Sequence, residues 1–170
     1  MDYAIFEAIN GLAGKSSFLD GFGIFLATVL IFIFLGFIGG LLANKQWNLR
    51  KRVYIAFISA LISRVILVEI IKRLIDRPRP FEVLDVHQLL VDEGSGKSFP
   101  SGHTVIFFSI AFAFWGTRWF WPMFIIATLG SIVRIFVGVH YPSDILVGAI
   151  IGAAVSLVLL KLHKIKFQQK

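Results

Sequence analysis

The sequence predicts an all-α protein, an integral membrane bundle of about five transmembrane helices with a short helix at its N-terminus. The 170 residues are 57% hydrophobic, which is more apolar than a soluble domain of this length. The charges lie between long apolar stretches, and residues 22–43 contain no charge over a length that can cross a bilayer. Because backbone inside a bilayer must satisfy its own hydrogen bonds, we expect these stretches to be helices of a single domain, residues 1–170.

The N-terminal segment, residues 1–20, comes before the first span. It lacks a basic start and carries Asp2 and Glu7, so it does not resemble a cleavable signal peptide. Polar residues interrupt its apolar ones in the stretch YAIFEAINGLAG. We predict that this stretch is a short amphipathic helix lying along the membrane interface.

Five apolar stretches form the predicted spans. In chain order they cover residues 22–43, 53–71, 103–117, 119–139 and 143–162. The third stretch is short for a membrane span. We therefore expect its polar start, at His103, to dip into a site near the membrane surface.

The basic residues predict the orientation of this bundle. Two loops and the chain end, which would share one face, hold nine basic residues and no acidic ones: Lys45, Arg50, Lys51, Arg52, Arg118, Lys161, Lys164, Lys166 and Lys170. The positive-inside rule makes that face cytoplasmic, including the tail 163–170, and leaves loop 72–102 and link 138–142 outside. Topology thus explains the net charge of +7, and nucleic acid is not expected as a partner.

Metal sites and disulfides are not expected. The chain has no cysteine, which excludes disulfides and thiolate metal sites. Its carboxylates are not spaced to hold Mg²⁺. We therefore predict chemistry without a metal or another cofactor.

The first of three polar clusters is KRLIDRPRP, which runs from Lys72 to Pro80 on the predicted outer face. Its prolines end the second span. A solvated basic flank is one interpretation, but basic residues on the outer face run against the usual charge bias. Lys72 and Arg79 are therefore candidates to hold phosphate, since the arginine fork matches its oxygens and lysine supplies a compact charge.

The second cluster is PSGH, from Pro100 to His103. Ser101 is a natural N-cap for the helix that follows, and capping alone would explain it. His103 needs another explanation, because a histidine in a first turn can give or take a proton near neutral pH. Helix N-terminal amides favour anions, and Gly102 lets backbone approach a ligand. We predict a phosphate cradle at Ser101 and Gly102, with His103 as the acid beside it.

The third cluster is VRIFVGVHYPSD, which contains Arg134 near the outer end of a span. An ionisable residue at that depth is a functional hypothesis by default. Pro142 suits the first turn of the last helix, which places Asp144 in that turn, four residues after His140. Asp144 is either a partner for the helix dipole or a carboxylate that orients the His140 ring and favours its imidazolium form. The predicted topology brings all three clusters to one face.

Two further charged residues, Arg64 and Glu69, lie in the second span. Glu69 is three residues before Lys72 and four before Arg73, so an α-helix allows it to pair with either. We expect a pair within the helix or between helices rather than a catalytic role. Arg64 lies deeper, and the sequence assigns it no partner.

Glycine pairs and the outer loop complete the predictions. The pairs Gly36/Gly40 and Gly148/Gly152 are expected to allow close helix packing within the bundle. The partly acidic loop 81–98 is either a lid or a solvated connector.

The three clusters together resemble the signature of the type 2 phosphatidic acid phosphatase superfamily, membrane lipid-phosphate phosphatases that are related to vanadium haloperoxidases. The matching motifs are Lys72-x6-Arg79-Pro80, the PSGH stretch and Arg134-x5-His140-x3-Asp144. The resemblance covers about residues 1–165. The family often has serine before the third-motif arginine, where this chain has Val133. A haloperoxidase is disfavoured, because a soluble enzyme has no use for five apolar spans.

By position, the resemblance implies a double displacement at phosphorus. His140 would attack and form a phosphohistidine, Asp144 would keep its ring aligned, and His103 would protonate the leaving oxygen and then activate water. The groups implied to hold the phosphate are Lys72, Arg79, Arg134 and the amides of Ser101 and Gly102.

The stretches MDYAIFEAINGLAGKSSFLD and RPRPFEVLDVHQLL also resemble bacterial undecaprenyl-diphosphate phosphatases of the bacitracin-resistance type. This resemblance implies a polyprenyl diphosphate substrate, cleaved on the extracytoplasmic side of the bacterial plasma membrane. Phosphatidylglycerophosphate or phosphatidate is the alternative substrate. A non-catalytic carrier or transporter of lipid phosphates is the alternative of another class, and the sequence leaves the oligomeric state open.

Overall fold

A computed structural model describes residues 1–43, 45–90 and 96–163, and no strand occurs among them. The α-helices, in chain order, are α1 (Asp2–Asn10), α2 (Ser17–Thr28), α3 (Leu30–Gly40), α4 (Trp47–Leu61), α5 (Val68–Leu74), α6 (Pro80–Val83), α7 (Gly102–Ala113), α8 (Phe120–Phe136) and α9 (Pro142–Leu162). The predicted all-α fold is confirmed.

All five predicted spans occur as helices in the predicted order, and the chain is a membrane protein. α4 continues through a π-helical segment, Ile62–Leu67, into α5. The resulting helix Asn48–Leu74 is long and apolar enough to cross a membrane, as is α9. Helix α2 and the helical stretch Leu30–Ala43 qualify together if the bent pair counts as one span, while α7 and α8 are shorter apolar helices.

The first span is bent by 44° where α2 meets α3. The hydroxyl of Thr28 donates to the carbonyl of Ile24 at 2.7 Å, a bond back along the helix that bends it. Arg134 from α8 donates through Nη1 to the carbonyl of Ala27 at 3.2 Å. We attribute the bend to these two side chains, because groups that bond to helix carbonyls disturb the ladder of backbone bonds.

Helix α7 is the centre of the bundle. It packs against α4, α8 and α9, and most of its residues are buried, so it has no polar face. At its C-terminal end, Arg52 of α4 donates through Nη1 to the carbonyls of Ala113 and Trp115, both at 2.9 Å. Arg52 is 3% exposed, so it caps the C-terminal end of α7 and does not contribute to a solvated basic surface.

The two glycine pairs behave differently. Cβ atoms built at Gly148 and Gly152 of α9 would lie 2.9 and 2.5 Å from backbone oxygens of the α7 segment, so these glycines do permit close packing, as predicted. Cβ atoms at Gly36 and Gly40 of α3 would meet nothing within 4 Å. For that pair, the expectation of packing within the bundle is wrong in the described part of the chain.

Helix α1 is short and amphipathic, as predicted. Phe6 is buried in a cluster with Ile135 and Tyr141, while other residues of the helix, such as Tyr3 and Glu7, are exposed. The helix therefore packs on the α8–α9 end of the bundle. Its position at a membrane interface stays a prediction.

The described part of the outer loop packs partly on the bundle. Phe81, Leu89 and Leu90 pack against the hydrophobic cluster that contains Val137 and Val139 of the α8–α9 turn, while Glu82, Asp85 and His87 are exposed. A lid and a solvated connector both stay predictions for this loop. Two acidic residues of this loop, Asp92 and Glu93, lie outside the described residues, as does the tail from residue 164 onwards.

Candidate active site

A tight turn after α8 delivers His140. Gly138 has a φ of +84°, a conformation that favours glycine. The N–H of Gly138 donates to the carbonyl of Ile135 at 3.0 Å, and the N–H of Val139 donates to the carbonyl of Arg134 at 3.2 Å. These two bonds form a Schellman motif, which ends α8 and reverses the chain immediately before His140.

Asp144 combines the two roles considered for it. Pro142 opens α9, and Asp144 lies in its first turn. Its Oδ2 accepts the N–H of Tyr141 at 2.9 Å and lies 3.3 Å from Nδ1 of His140. One carboxylate therefore caps α9 and orients the imidazole, and the His140 and Asp144 side chains are both almost completely buried.

Burial lowers the pKa of His140 from 6.5 to about 4. The hydrogen bond that the His140 ring donates to Asp144 opposes this shift, whereas the positive charges of Arg134 and Arg79 add to it. Asp144 does favour the imidazolium, as the sequence suggested, but burial outweighs it. The ring is therefore neutral near pH 7, and a proton on Nδ1 shared with Asp144 leaves the lone pair on Nε2.

Arg77 holds the other oxygen of Asp144. Its Nη1 donates to Oδ1 of Asp144 at 2.7 Å and to the hydroxyl of Ser143 at 2.6 Å. Its guanidinium also lies over the Tyr141 ring, 4.0 Å from the centroid, in cation–π geometry. Arg77 was visible in the sequence only as one member of a basic cluster, and nothing there pointed to Asp144.

Asp2 ties α1 to the same network, which the sequence did not predict. Nη2 of Arg77 donates to Oδ2 of Asp2 at 2.5 Å, and Ser143 donates to Asp2 through its backbone N–H at 2.9 Å and its hydroxyl at 2.6 Å. Burial raises the pKa of Asp2, but the bonds from Ser143 and Arg77 outweigh it and leave the pKa lowered. Asp2 is therefore a carboxylate that orients Arg77.

The first-motif cations lie beside this turn. Lys72 is half-buried near the end of α5, close enough to Arg79 and Asp144 to interact electrostatically with both. Arg79 donates through Nε to the carbonyl of Gly96 at 3.0 Å and through Nη1 to that of Val139 at 3.5 Å. Arg79 thus bridges the outer loop and the residue that precedes His140.

The PSGH stretch starts α7 next to Asp144. Ser101 is the N-cap, as predicted. Its side-chain oxygen accepts two bonds from Thr104, one from the backbone N–H at 3.5 Å and one from the hydroxyl at 3.1 Å. The N–H of Ser101 donates to the carbonyl of Asp144 at 3.1 Å, so this amide holds α7 to α9. His103 is the second residue of α7, one position after Gly102, and is half-exposed.

Arg134 is 1% exposed and sits below the turn, in electrostatic contact with His140. The structure therefore gathers the predicted residues of all three motifs at one end of the bundle: Lys72, Arg79, Ser101, Gly102, His103, Arg134, His140 and Asp144. Within the described ranges, no group of three His, Asp or Glu residues is placed to hold a metal ion. A neutral, oriented imidazole among cations suits attack on an anionic phosphorus centre.

Comparison with known proteins agrees with this geometry. The profile of the PAP2 superfamily matches residues 53–168. The chain is 31% identical over 163 residues to a Bacillus subtilis (strain 168) protein named undecaprenyl-diphosphatase BcrC, covering 95% of this chain and 83% of that one. It is 34% identical over 157 residues to a Bacillus licheniformis protein named bacitracin transport permease protein BcrC, covering 89% and 75%. The crystal structure of Aquifex aeolicus LpxE superimposes with a TM-score of 0.79 at 28% identity, covering 94% of each chain.

Proposed function

The chain belongs to the PAP2 superfamily and is a membrane lipid-phosphate phosphatase, and from this premise we propose that it converts undecaprenyl diphosphate to undecaprenyl phosphate and inorganic phosphate. One observation carries the proposal: the buried, neutral His140 is held by Asp144 within a cluster of cations. The likeness to the protein named undecaprenyl-diphosphatase supports the choice of substrate.

In the first step, the lone pair on Nε2 of His140 attacks the terminal phosphorus. The bond from that phosphorus to the bridging oxygen breaks, and His103 gives its proton to this oxygen as the lipid monophosphate leaves. Lys72, Arg79 and Arg134 stabilise the negative charge that is spread over the terminal oxygens. The product of this step is a phosphohistidine at position 140.

In the second step, the now neutral His103 takes a proton from water, and the water oxygen attacks the phosphohistidine. The bond between phosphorus and nitrogen breaks, its electron pair returns to Nε2 of His140, and inorganic phosphate leaves. Both histidines are then in their starting states.

The phosphate contact of Ser101 needs a different donor from the one that the sequence suggested. Since the Ser101 backbone N–H is bonded to the carbonyl of Asp144, we assign any phosphate contact of Ser101 to its hydroxyl hydrogen. The Gly102 amide lies beside it.

Phosphate release by the purified protein tests the substrate and the nucleophile. We expect higher kcat/KM on undecaprenyl diphosphate than on phosphatidylglycerophosphate or phosphatidate, and release at background level from His140→Ala. EDTA should leave the activity unchanged. A preference for either glycerophospholipid would replace the substrate, an active His140→Ala would refute the mechanism, and a loss in EDTA that Mg²⁺ restores would refute metal independence.

The similar protein from Bacillus licheniformis is named a transport permease, and this name motivates one candidate of another class, a lipid-phosphate carrier. A carrier would bind undecaprenyl diphosphate without releasing phosphate. The half-exposed His103 favours the phosphatase, because binding alone needs no proton donor.

We also propose that the site faces the extracytoplasmic side of the bacterial plasma membrane, which the positions of the nine basic residues in the sequence support. The chain has no cysteine, so single cysteines can be introduced and labelled with an impermeant reagent on whole cells. Labelling at residues 85 and 97 with protection at 46 and 48 is the expected result. The reverse pattern would place the site in the cytoplasm.

A further inference from the structure

A further ion pair, between Arg64 and Glu69, lies beside the proposed catalytic site and takes no part in the steps above. Nη1 of Arg64 is 2.6 Å from Oε1 of Glu69, and both residues belong to the helix Asn48–Leu74. We propose that Arg64 forms a second phosphate subsite, which binds the phosphate that is not transferred and so selects diphosphates over monophosphates. The inference rests on the proposed phosphatase function.

Arg64 lies against the first residue of α7. A Cβ atom built at Gly102 would be 2.6 Å from Nε and 2.9 Å from Cδ of Arg64, so the arginine occupies the space that a side chain there would need. The next residue is His103, the proton donor to the leaving oxygen. Lys72 is close enough to interact electrostatically with both Arg64 and Arg79. Arg64 therefore belongs to the same cationic cluster, on its leaving-group side.

A π-helical segment produces this arrangement. Arg64 and Glu69 are five residues apart, and on an α-helix it is residues three or four apart that meet. The segment Ile62–Leu67 is π-helical, and its i to i+5 spacing brings the two side chains together. Single π-helical turns within α-helices occur frequently at functional sites. Glu69 thus forms a pair within its own helix, as expected, with Arg64 as the ion-pair partner, while Lys72 and Arg73 act on it electrostatically.

Stability does not account for the pair. The two side chains are 39% and 47% exposed, and exposed ion pairs contribute only about 0–1 kcal/mol. Arg64 also lies at the N-terminal end of α7, where the helix dipole disfavours a cation and favours an anion. Glu69 supplies that anion in the unliganded protein. A phosphate can do the same through the guanidinium donors that Glu69 leaves available, because the guanidinium has five N–H groups.

The surroundings of Arg64 suit a phosphate that carries a lipid. Val65, Ile66 and Ile70 on the same helix are exposed apolar side chains, as expected for a surface in contact with acyl chains. With the terminal phosphate at His140 and the bridging oxygen at His103, the second phosphate reaches Arg64 and its tail stays in the bilayer. A monophosphate presents a carbon chain at that position and makes no such contact.

Farnesyl diphosphate and farnesyl phosphate, which share one tail, test the proposal. For Arg64→Ala and Arg64→Gln we expect kcat/KM on the diphosphate to fall by about 10- to 100-fold, the equivalent of one charge-assisted hydrogen bond. On the monophosphate it should change by less than about threefold. Arg73→Ala is the matched control, because Arg73 is an exposed cation on the same helix, and it should change neither rate by more than about threefold.

Arg64→Gln keeps a carbon atom at the position of Cδ, one of the Arg64 atoms beside Gly102, so a selective loss in this variant supports the subsite even if Arg64→Ala is impaired on both substrates. An equal loss on both substrates in Arg64→Gln, or no loss on the diphosphate, overturns the subsite. Failure of the wild-type protein to release phosphate from either substrate and from undecaprenyl diphosphate would instead refute the proposed function.

Discussion

Two arginines on one helix reach opposite ends of α7. Arg52 is buried at the C-terminal end and donates to two carbonyls there, where the helix dipole favours a cation. Arg64 lies half-exposed at the N-terminal end, where the dipole opposes it, and is paired with Glu69. The contrast separates a charge that completes the fold from a charge that is available to a ligand. We therefore expect substitutions at the N-terminal end of α7 to affect phosphate release and substitutions at its C-terminal end to affect stability.

The largest effect is expected at the N-terminal end, from His103→Ala. Phosphate release should fall by about 10²- to 10⁴-fold, the usual contribution of general acid–base catalysis. The melting temperature should stay near that of the wild type, because the His103 side chain is only partly buried. Phosphate release and thermal unfolding in detergent measure the two effects.

The control is His163→Ala, which removes an exposed histidine at the far end of α9 and should leave phosphate release unchanged. If His103→Ala retained more than a tenth of the wild-type rate, His103 would not be the proton donor, and the N-terminal end of α7 would lose its catalytic role.

At the C-terminal end, Arg52→Ala should lower the free energy of unfolding by about 2–3 kcal/mol, because it leaves two carbonyls without their donor. The kcat/KM of the folded fraction should match the wild type. Denaturant unfolding in detergent checks the first effect, and assays corrected for folded protein check the second. Arg118→Ala, at an exposed arginine, should change stability by less than about 0.5 kcal/mol. A stable Arg52→Ala with impaired catalysis would reverse the contrast.

A smaller loss of activity is expected from Arg77→Gln. Arg77 reaches the reaction only through Asp144, so we treat it as a positioning residue. Loss of this charge-assisted bond should lower kcat/KM by about 10-fold or somewhat more. Asp2→Asn, which weakens the far side of Arg77 and the two bonds that Asp2 accepts from Ser143, should have a smaller effect of the same kind. A larger effect for Asp2→Asn than for Arg77→Gln would show that α1 acts by another route.

The turn at His140 could be predicted from the sequence because its signals are local. Pro142 marks the start of α9, and the four-residue spacing brings Asp144 back to His140. The cap at Ser101 is equally local. Each of these features depends on the backbone conformation of a few consecutive residues.

Two other contacts could not be predicted, for different physical reasons. The pairing of Arg64 with Glu69 depends on a π-helical turn, whereas the sequence argument assumed α-helical spacing. The contact of Asp2 with Arg77 joins residues 75 positions apart, and it exists only once α1 packs on the bundle. The bend of the first span likewise depends on a donor, Arg134, from a distant helix.

The smallest effect we expect is a shift in the pH profile. Since burial lowers the pKa of His140 to about 4, the nucleophile is neutral above that pH. The acid limb of kcat/KM should therefore fall near pH 4 and not near 6.5. In Arg77→Gln, the charge of Asp144 is no longer offset by Arg77 and favours the imidazolium more strongly, so the limb should move to higher pH.

The wild type and Arg77→Gln are measured on one substrate, so that the ionisation of the substrate cancels in the ratio of their rates. The lowered pKa of His140 also affects folding. Below pH 6.5 the unfolded chain binds a proton at position 140 that the folded protein excludes, so the free energy of unfolding decreases from pH 6.5 down to about 4. An acid limb that stays in place in Arg77→Gln would show that this arginine does not act on His140 through Asp144. The N-terminal end of α7 would then owe its catalytic character to His103 and the phosphate-binding cations alone.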